Sequence, residues 1–168
     1  MECFTCRRNA EIATLPPREC VAADDAWRVA HAFDSALPGW LVLVPRRHVE
    51  SIAALTDAEA AGLGLWQVRL SRALGAVTGC AKTYVVQFAE KEGFAHVHFH
   101  ILPRMPELPA DRRGGAVFAY LGVPEEQRVT EPRRDELAAL LRAELQRTGP
   151  TAVGEDGPPP REETPTGG

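Results

Sequence analysis

The stretch HVHFHILPR, His96 to Arg104, decides how this 168-residue chain is read. It carries three of the five histidines of the chain, and they fall at every second position. Alternate side chains of an extended strand point to one face, so His96, His98 and His100 share a side while Val97, Phe99 and Ile101 share the other. The apolar side packs inward and the imidazoles line a site. At a rise of about 3.3 Å per residue, the outer two histidines lie roughly 13 Å apart at the backbone. Metal–nitrogen bonds are only about 2.0 Å long, so at most two of the three can share an ion. At least one imidazole remains for other chemistry, such as nucleophilic attack on phosphorus. That role needs the second ring nitrogen held by an acceptor, commonly a backbone carbonyl, to fix the tautomer.

Working outward, KTYVVQFA (82–89) is rich in β-branched and aromatic residues and reads as a strand. It pairs with the histidine strand through the polar loop EKEG (90–93), and Pro103 is expected to stop the second strand. Upstream, AWRVAHAF (26–33) and WLVLVP (40–45) form another hairpin around the turn DSALPG (34–39). Between the hairpins, Thr56 and Glu59 make a capping box, and Leu63, Trp66, Leu70 and Leu74 follow at helical spacing up to Gly79. Past Pro103 the chain is mostly loop, wrapping the core through Val117, Phe118, Tyr120 and Leu121. Helical spacing returns at Leu137, Leu140, Leu141 and Leu145, with Thr130 as N-cap. The segment 148–168 is Pro- and Gly-rich with few large apolar residues, so it is expected to be a disordered tail behind a domain at 1–147. The fold class is α+β, an antiparallel sheet with a long covering helix and a C-terminal helix.

The formal charge is −4 and 45% of residues are hydrophobic. This supports one core and argues against broad capture of nucleic acid, which needs clustered positive charge. No segment approaches the ~20 apolar residues of a membrane span, and the start has no apolar leader, so a cytoplasmic protein is expected. In a reducing compartment the four cysteines are metal ligands or small hydrophobes rather than disulfides. Cys20 and Cys80 stand alone and read as packed thiols. Cys3 and Cys6 form a CxxC, which by itself fits a redox pair, a metal site or two ordinary thiols.

Two other HxH chemistries fail on the letters. A metallo-β-lactamase-like site needs an Asp-His pair after the motif, where this chain has Phe99, His100 and Ile101. A cupin needs a Glu about four residues on, and the next acid here is Glu107. HVHFHILPR instead resembles the His-Φ-His-Φ-His-Φ-Φ signature of the histidine triad (HIT) superfamily. LPGWLVLVPRRHVESIAALTDAE (37–59) resembles the block upstream of it, in the zinc-containing bacterial-type branch. The resemblance covers roughly residues 1–104. It implies a HIT-like fold, a homodimer whose sheet runs across both subunits, and a nucleotide-binding hydrolase or nucleotidyl transferase. Such an enzyme acts at the α-phosphorus of nucleoside phosphates, for example dinucleoside polyphosphates or nucleoside phosphoramidates, through a covalent nucleotidyl-histidine.

Carried over by position, the resemblance makes His98 the nucleophile, oriented by the backbone carbonyl of His96. His100 lines the α-phosphate pocket and Gln87 donates to the phosphate. Asp34 holds the ribose hydroxyls or serves as an Asx-turn residue, and Arg104 neutralises phosphate charge or is simply solvated. The resemblance further groups Cys3, Cys6, His48 and His96 as a structural zinc site, with no catalytic metal. Two positions depart from the pattern. Trp40 stands where relatives usually have a histidine, and Gly93, Phe94 and Ala95 stand where a hydroxyl or amide side chain is usual. Support for the transition state there falls to backbone N–H groups such as that of Gly93. The departures keep open a catalytically weak nucleotide-binding regulator, or a zinc-stabilised interaction module.

Overall fold

The long helix α2, Asp57–Thr78, has its limits set by local chemistry in the computed structural model, which describes residues 3–149. At its start the Thr56 side chain accepts from the Glu59 N–H at 3.2 Å, and the Glu59 carboxylate accepts from the Thr56 N–H at 2.8 Å. At its end Gly79 takes a left-handed conformation, φ +70°, and returns its N–H to the Gly75 carbonyl.

Five strands make one antiparallel sheet in the order β1-β2-β3-β5-β4: β1 Ala22–Ala23, β2 Trp27–His31, β3 Leu41–Pro45, β4 Lys82–Val86 and β5 Phe99–Arg104. On one face Trp27, Val29, Leu41, Leu43, Phe99 and Ile101 meet Trp66, Leu70, Ala73 and Leu74 of α2. The C-terminal helix α3, Glu131–Thr148, packs against α2 and adds Ala138, Leu141 and Leu145 to the same core. Burying a large apolar side chain is worth about 1.5–3 kcal/mol, so this layer carries most of the fold's stabilisation. The opposite face holds a smaller cluster, Ala32, Leu37, Trp40, Leu102, Leu108 and Val117. Its outer wall comes from 3₁₀ turns after β5, chiefly Gly114–Tyr120. The expected wrapping by Val117, Phe118, Tyr120 and Leu121 is therefore present. A short helix α1, Phe4–Ala10, lies ahead of the sheet. Among the described residues no helix is long and apolar enough to cross a membrane.

Three local expectations change. The ladder of β5 begins at Phe99 rather than His96, because Val97 donates its N–H to the Val49 carbonyl at 2.8 Å and draws the chain away from β3. Pro103 does not stop the strand: it faces Thr83 of β4. The register with β3 has already ended at Ile101, and a residue without an N–H is tolerated where only one neighbour pairs. The β4–β5 connection spans residues 87–98, well beyond the four-residue loop. The tail expected at 148–168 lies outside the described residues except for its first two positions.

The β2–β3 turn is clamped by His31, whose Nδ1 lies 2.8 Å from the Ala32 carbonyl while Nε2 accepts the Gly39 N–H at 3.0 Å. Burial pushes this imidazole down to about 4, so it packs neutral. Gly39 has φ +85°, and a Cβ there would sit 3.2 Å from Leu74 Cδ2 and 3.3 Å from Pro103 Cγ. Gly39→Ala is expected to cost at least ~1–2 kcal/mol, since the left-handed conformation alone carries that penalty. A urea midpoint unchanged from wild type would contradict this.

Candidate functional site

The CxxC and two distant histidines meet at the end of α1. Cys3 is the N-cap of that helix and Cys6 lies in its first turn, with the Cys6 N–H 3.4 Å from Cys3 Sγ. His48 follows β3 and His96 precedes β5. The four donor atoms lie within 4.8 Å of one another. His48 Nδ1 is 3.3 Å from His96 Nδ1, and Cys6 Sγ is 3.2 Å and 3.6 Å from those two nitrogens. Cys3 Sγ is 3.5 Å from His96 Nδ1. Around a tetrahedral zinc with bonds of about 2.0–2.1 Å to nitrogen and about 2.3 Å to sulfur, the N–N edge is about 3.3 Å and the N–S edges about 3.5 Å. The donor set therefore fits such an ion.

Outer contacts orient the ligands. His96 Nε2 lies 3.0 Å from the Pro45 carbonyl, which leaves Nδ1 as its free lone pair, and His48 Nε2 lies 3.3 Å from Glu50 Oε1. Burial, only partly opposed by the Pro45 bond, pushes His96 down to about 4, keeping it neutral as a ligand must be. Without a cation, burial and then the neighbouring Cys3 push the Cys6 thiol up to about 11. Metal binding therefore has to displace a proton there.

The other face of the sheet floors a cavity of about 490 Å³. His98 and His100 stand in it, on the same face as Val42, Val44, Ala30 and Arg28. His98 Nδ1 is 2.9 Å from the His96 carbonyl. This bond assigns the proton to Nδ1 and leaves Nε2 with a lone pair and no partner among the described residues. The His100 ring lies 5.0 Å from that of His98. Its Nδ1 accepts from Trp40 Nε1 at 3.0 Å, and burial, then the adjacent His98, push it down to about 4.

One end of the cavity is aromatic. Phe4 of α1 lies 5.5 Å from Phe94 and 5.9 Å from Phe33, with Phe33 and Phe94 stacked at 6.3 Å. Cations border these rings, Arg8 5.5 Å from Phe4 and Lys91 5.5 Å from Phe94. Phe118, 5.4 Å from His100, and Leu121 also line the cavity.

The structure thus gathers Cys3, Cys6, His48 and His96 into one cluster, and His98, His100 and Asp34 into the cavity wall. Gln87, Gly93 and Arg104 do not line the cavity: Gln87 follows β4, Gly93 sits in the 87–98 connection, and Arg104 ends β5 beside Lys82. Sequence reasoning missed Arg28. It is buried, and it donates from Nε to Asn9 Oδ1 at 2.8 Å and from Nη1 to the Glu19 carbonyl. A charge inside the apolar run WRVAH was the available signal. The aromatic end, assembled from three separate segments, left no local signal.

No curated protein matches the chain. Among solved structures, a Hit-like protein involved in cell-cycle regulation from Bartonella henselae is 19% identical with a TM-score of 0.63, covering 82% of this chain and 93% of that one. A zinc-bound histidine triad family protein from Mycobacterium smegmatis is 20% identical, TM-score 0.62, with 88% and 96% covered. A histidine triad protein from Bradyrhizobium japonicum is 25% identical, TM-score 0.62, with 74% and 88% covered. These likenesses carry the fold. The family model of the HIT domain matches residues 15–107, more than half of the chain and the whole span from the first hairpin through the three histidines. By that match, and by the sheet and helix order that agrees with it, this chain belongs to the HIT domain family.

Proposed function

We propose that this protein is a nucleotide hydrolase or nucleotidyl transferase in which His98 attacks the α-phosphorus of a nucleoside phosphate. The observation that carries the reading is the His98 ring, tied through Nδ1 to the His96 carbonyl at 2.9 Å, with Nε2 free in a cavity of nucleotide size. In the first step the Nε2–P bond forms as the P–O bond to the leaving group breaks, and the proton on Nδ1 stays against the carbonyl. Water or another acceptor then cleaves the P–N bond, so one displacement becomes two. His100 contributes its Nε2–H to the phosphoryl oxygens, and Asp34 faces the ribose. The Phe4, Phe33 and Phe94 rings take the base by stacking. Gln87, Gly93 and Arg104, away from the cavity wall, are left out of this mechanism.

Zinc is the ion this reading assigns to Cys3, Cys6, His48 and His96; when bound it supplies structural cross-linking only, since all four positions are filled by protein. Two thiolate ligands suit a reducing cytoplasm. The outer strand β4, with exposed Val85 beside exposed Val68 of α2, is the edge through which a second copy continues the sheet. Val85→Lys is expected to turn a dimer into a monomer by light scattering; a monomeric wild type would overturn this assembly.

A nucleotide-binding regulator with little turnover is the second reading, favoured by Trp40 beside His100. Quenching in alkaline detergent, which preserves a phosphoramidate, during turnover of α-³²P-labelled nucleoside triphosphates and dinucleoside polyphosphates separates the two. Acid-labile label on the protein supports the enzyme, whereas binding without label supports the regulator.

A further inference from the structure

We infer that Trp40 is a positioning residue that locks His100 as a neutral Nε2–H donor, so that the site serves leaving groups needing no proton, the phosphates of anhydrides rather than the amines of phosphoramidates. The inference rests on the nucleotidyl-histidine reading and deepens it. An indole nitrogen can only donate a hydrogen bond. Trp40 Nε1 lies 3.0 Å from His100 Nδ1, so that nitrogen accepts and the ring proton sits on Nε2. Trp40 is fully buried and its ring meets His100 edge-on at 89°, leaving the pair no room to exchange roles. Phe118 packs edge-on against both, 5.3 Å from Trp40 and 5.4 Å from His100. This phenylalanine lies beyond the residues that match the HIT domain, so the shield over the pair is contributed by this chain's own continuation.

The consequence concerns proton supply. To protonate Nδ1, His100 would have to surrender the Trp40 bond inside an apolar enclosure, where burial disfavours the charged ring. The charged side chains elsewhere on the cavity wall, Arg8, Glu19, Arg28, Asp34, Glu90 and Lys91, hydrogen bond to neither histidine. His31, the third imidazole on the wall, has both nitrogens occupied. His100 therefore offers a hydrogen bond and no proton. When the His98 Nε2–P bond forms, the electron pair of the breaking bond must leave on an atom that tolerates it. A phosphate or polyphosphate oxygen does so at neutral pH, whereas an amine must be protonated as it departs.

Histidine-selective ¹⁵N–¹H correlation spectra of the intact protein test the lock without any substrate. His100 is expected to show a single Nε2–H tautomer at pH 7 and to remain neutral at pH 5.5. An Nδ1–H tautomer, or an imidazolium at pH 7, would overturn the inference. In Trp40→Phe the tautomers should mix and kcat should drop about 10-fold with KM within about twofold; an unchanged His100 spectrum in a folded variant also overturns it. Should that variant fail to fold, the wild-type spectrum decides alone. In the kinetic arm, diadenosine tetraphosphate is expected to exceed adenosine 5′-phosphoramidate by at least about 100-fold in kcat/KM, with guanosine counterparts run in parallel. Equal turnover of the amine overturns the leaving-group assignment. Turnover of neither, together with the single tautomer, marks failure of the hydrolase reading and leaves the Trp40 lock standing.

Discussion

His98→Ala is expected to lower turnover of the best substrate by about four to six orders of magnitude and to abolish acid-labile labelling, while fold and metal content stay at wild-type levels. The size follows from removing the nucleophile itself, and the selectivity follows from the geometry. Among the described residues the His98 side chain makes one hydrogen bond, to the His96 carbonyl, and it is not part of the Cys3, Cys6, His48 and His96 cluster. It is partly buried and lines the open cavity, so its loss opens no sealed void. Neighbouring substitutions should differ in kind. His100→Ala removes one donor and is expected to cost about 100-fold in kcat. His96→Ala removes a buried ligand and should lose metal and stability before any kinetic effect can be resolved. A His98→Ala protein that retained more than a few per cent of turnover, or a label mapped to another residue, would refute covalent catalysis at this position.

The contrast between these histidines shows what the sequence could and could not carry. Strict alternation assigned Val97, Phe99 and Ile101 to the core, and all three are buried there. The Thr56–Glu59 pair and Gly79 located both ends of α2, because capping is chemistry between residues close in the chain. Alternation says which face a side chain takes and nothing about the backbone's partner. That is why the strand appeared to begin at His96, when in fact Val97 bonds Val49 and carries His96 toward His48. Pro103 was misread for the same reason, since its tolerance depends on where β3 ends. The grouping of Cys3, Cys6, His48 and His96 follows from the family resemblance alone, as no local rule links Cys3 to a histidine 93 positions away. Arg28 with Asn9, Trp40 with His100 and Phe118 with His100 are contacts between distant segments. Only the packed fold displays them.

Loss of the metal is expected to damage substrate binding more than chemistry, because of which residues the cluster holds in place. Phe4 lies between the two cysteines and forms one side of the aromatic end of the cavity; Arg8, one turn further along α1, borders the same ring. A seven-residue helix has too few internal hydrogen bonds to persist alone. Besides the cluster, α1 is anchored by Asn9, whose Nδ2 donates to the Pro45 and Arg46 carbonyls at 3.0 and 3.1 Å. That anchor secures the end of the helix, while its first turn is held by the Cys3 and Cys6 side of the cluster and by the Phe4 contacts with Phe33 and Phe94. Cys3→Ser and Cys6→Ser should therefore each lose about one zinc per chain and roughly 10 °C of melting temperature. KM should rise by about 10-fold or more, while kcat at saturation falls little, since His98 keeps its carbonyl partner. Zinc affinity should also climb with pH, because the Cys6 thiol, held up to about 11 in the metal-free cluster, must give up its proton to bind. Elemental analysis, calorimetry and steady-state kinetics on the same preparations check all of this. Wild-type zinc content in the double variant Cys3→Ser/Cys6→Ser would exclude these thiols as ligands, and a kcat loss matching that of His98→Ala would put the metal in the reaction itself.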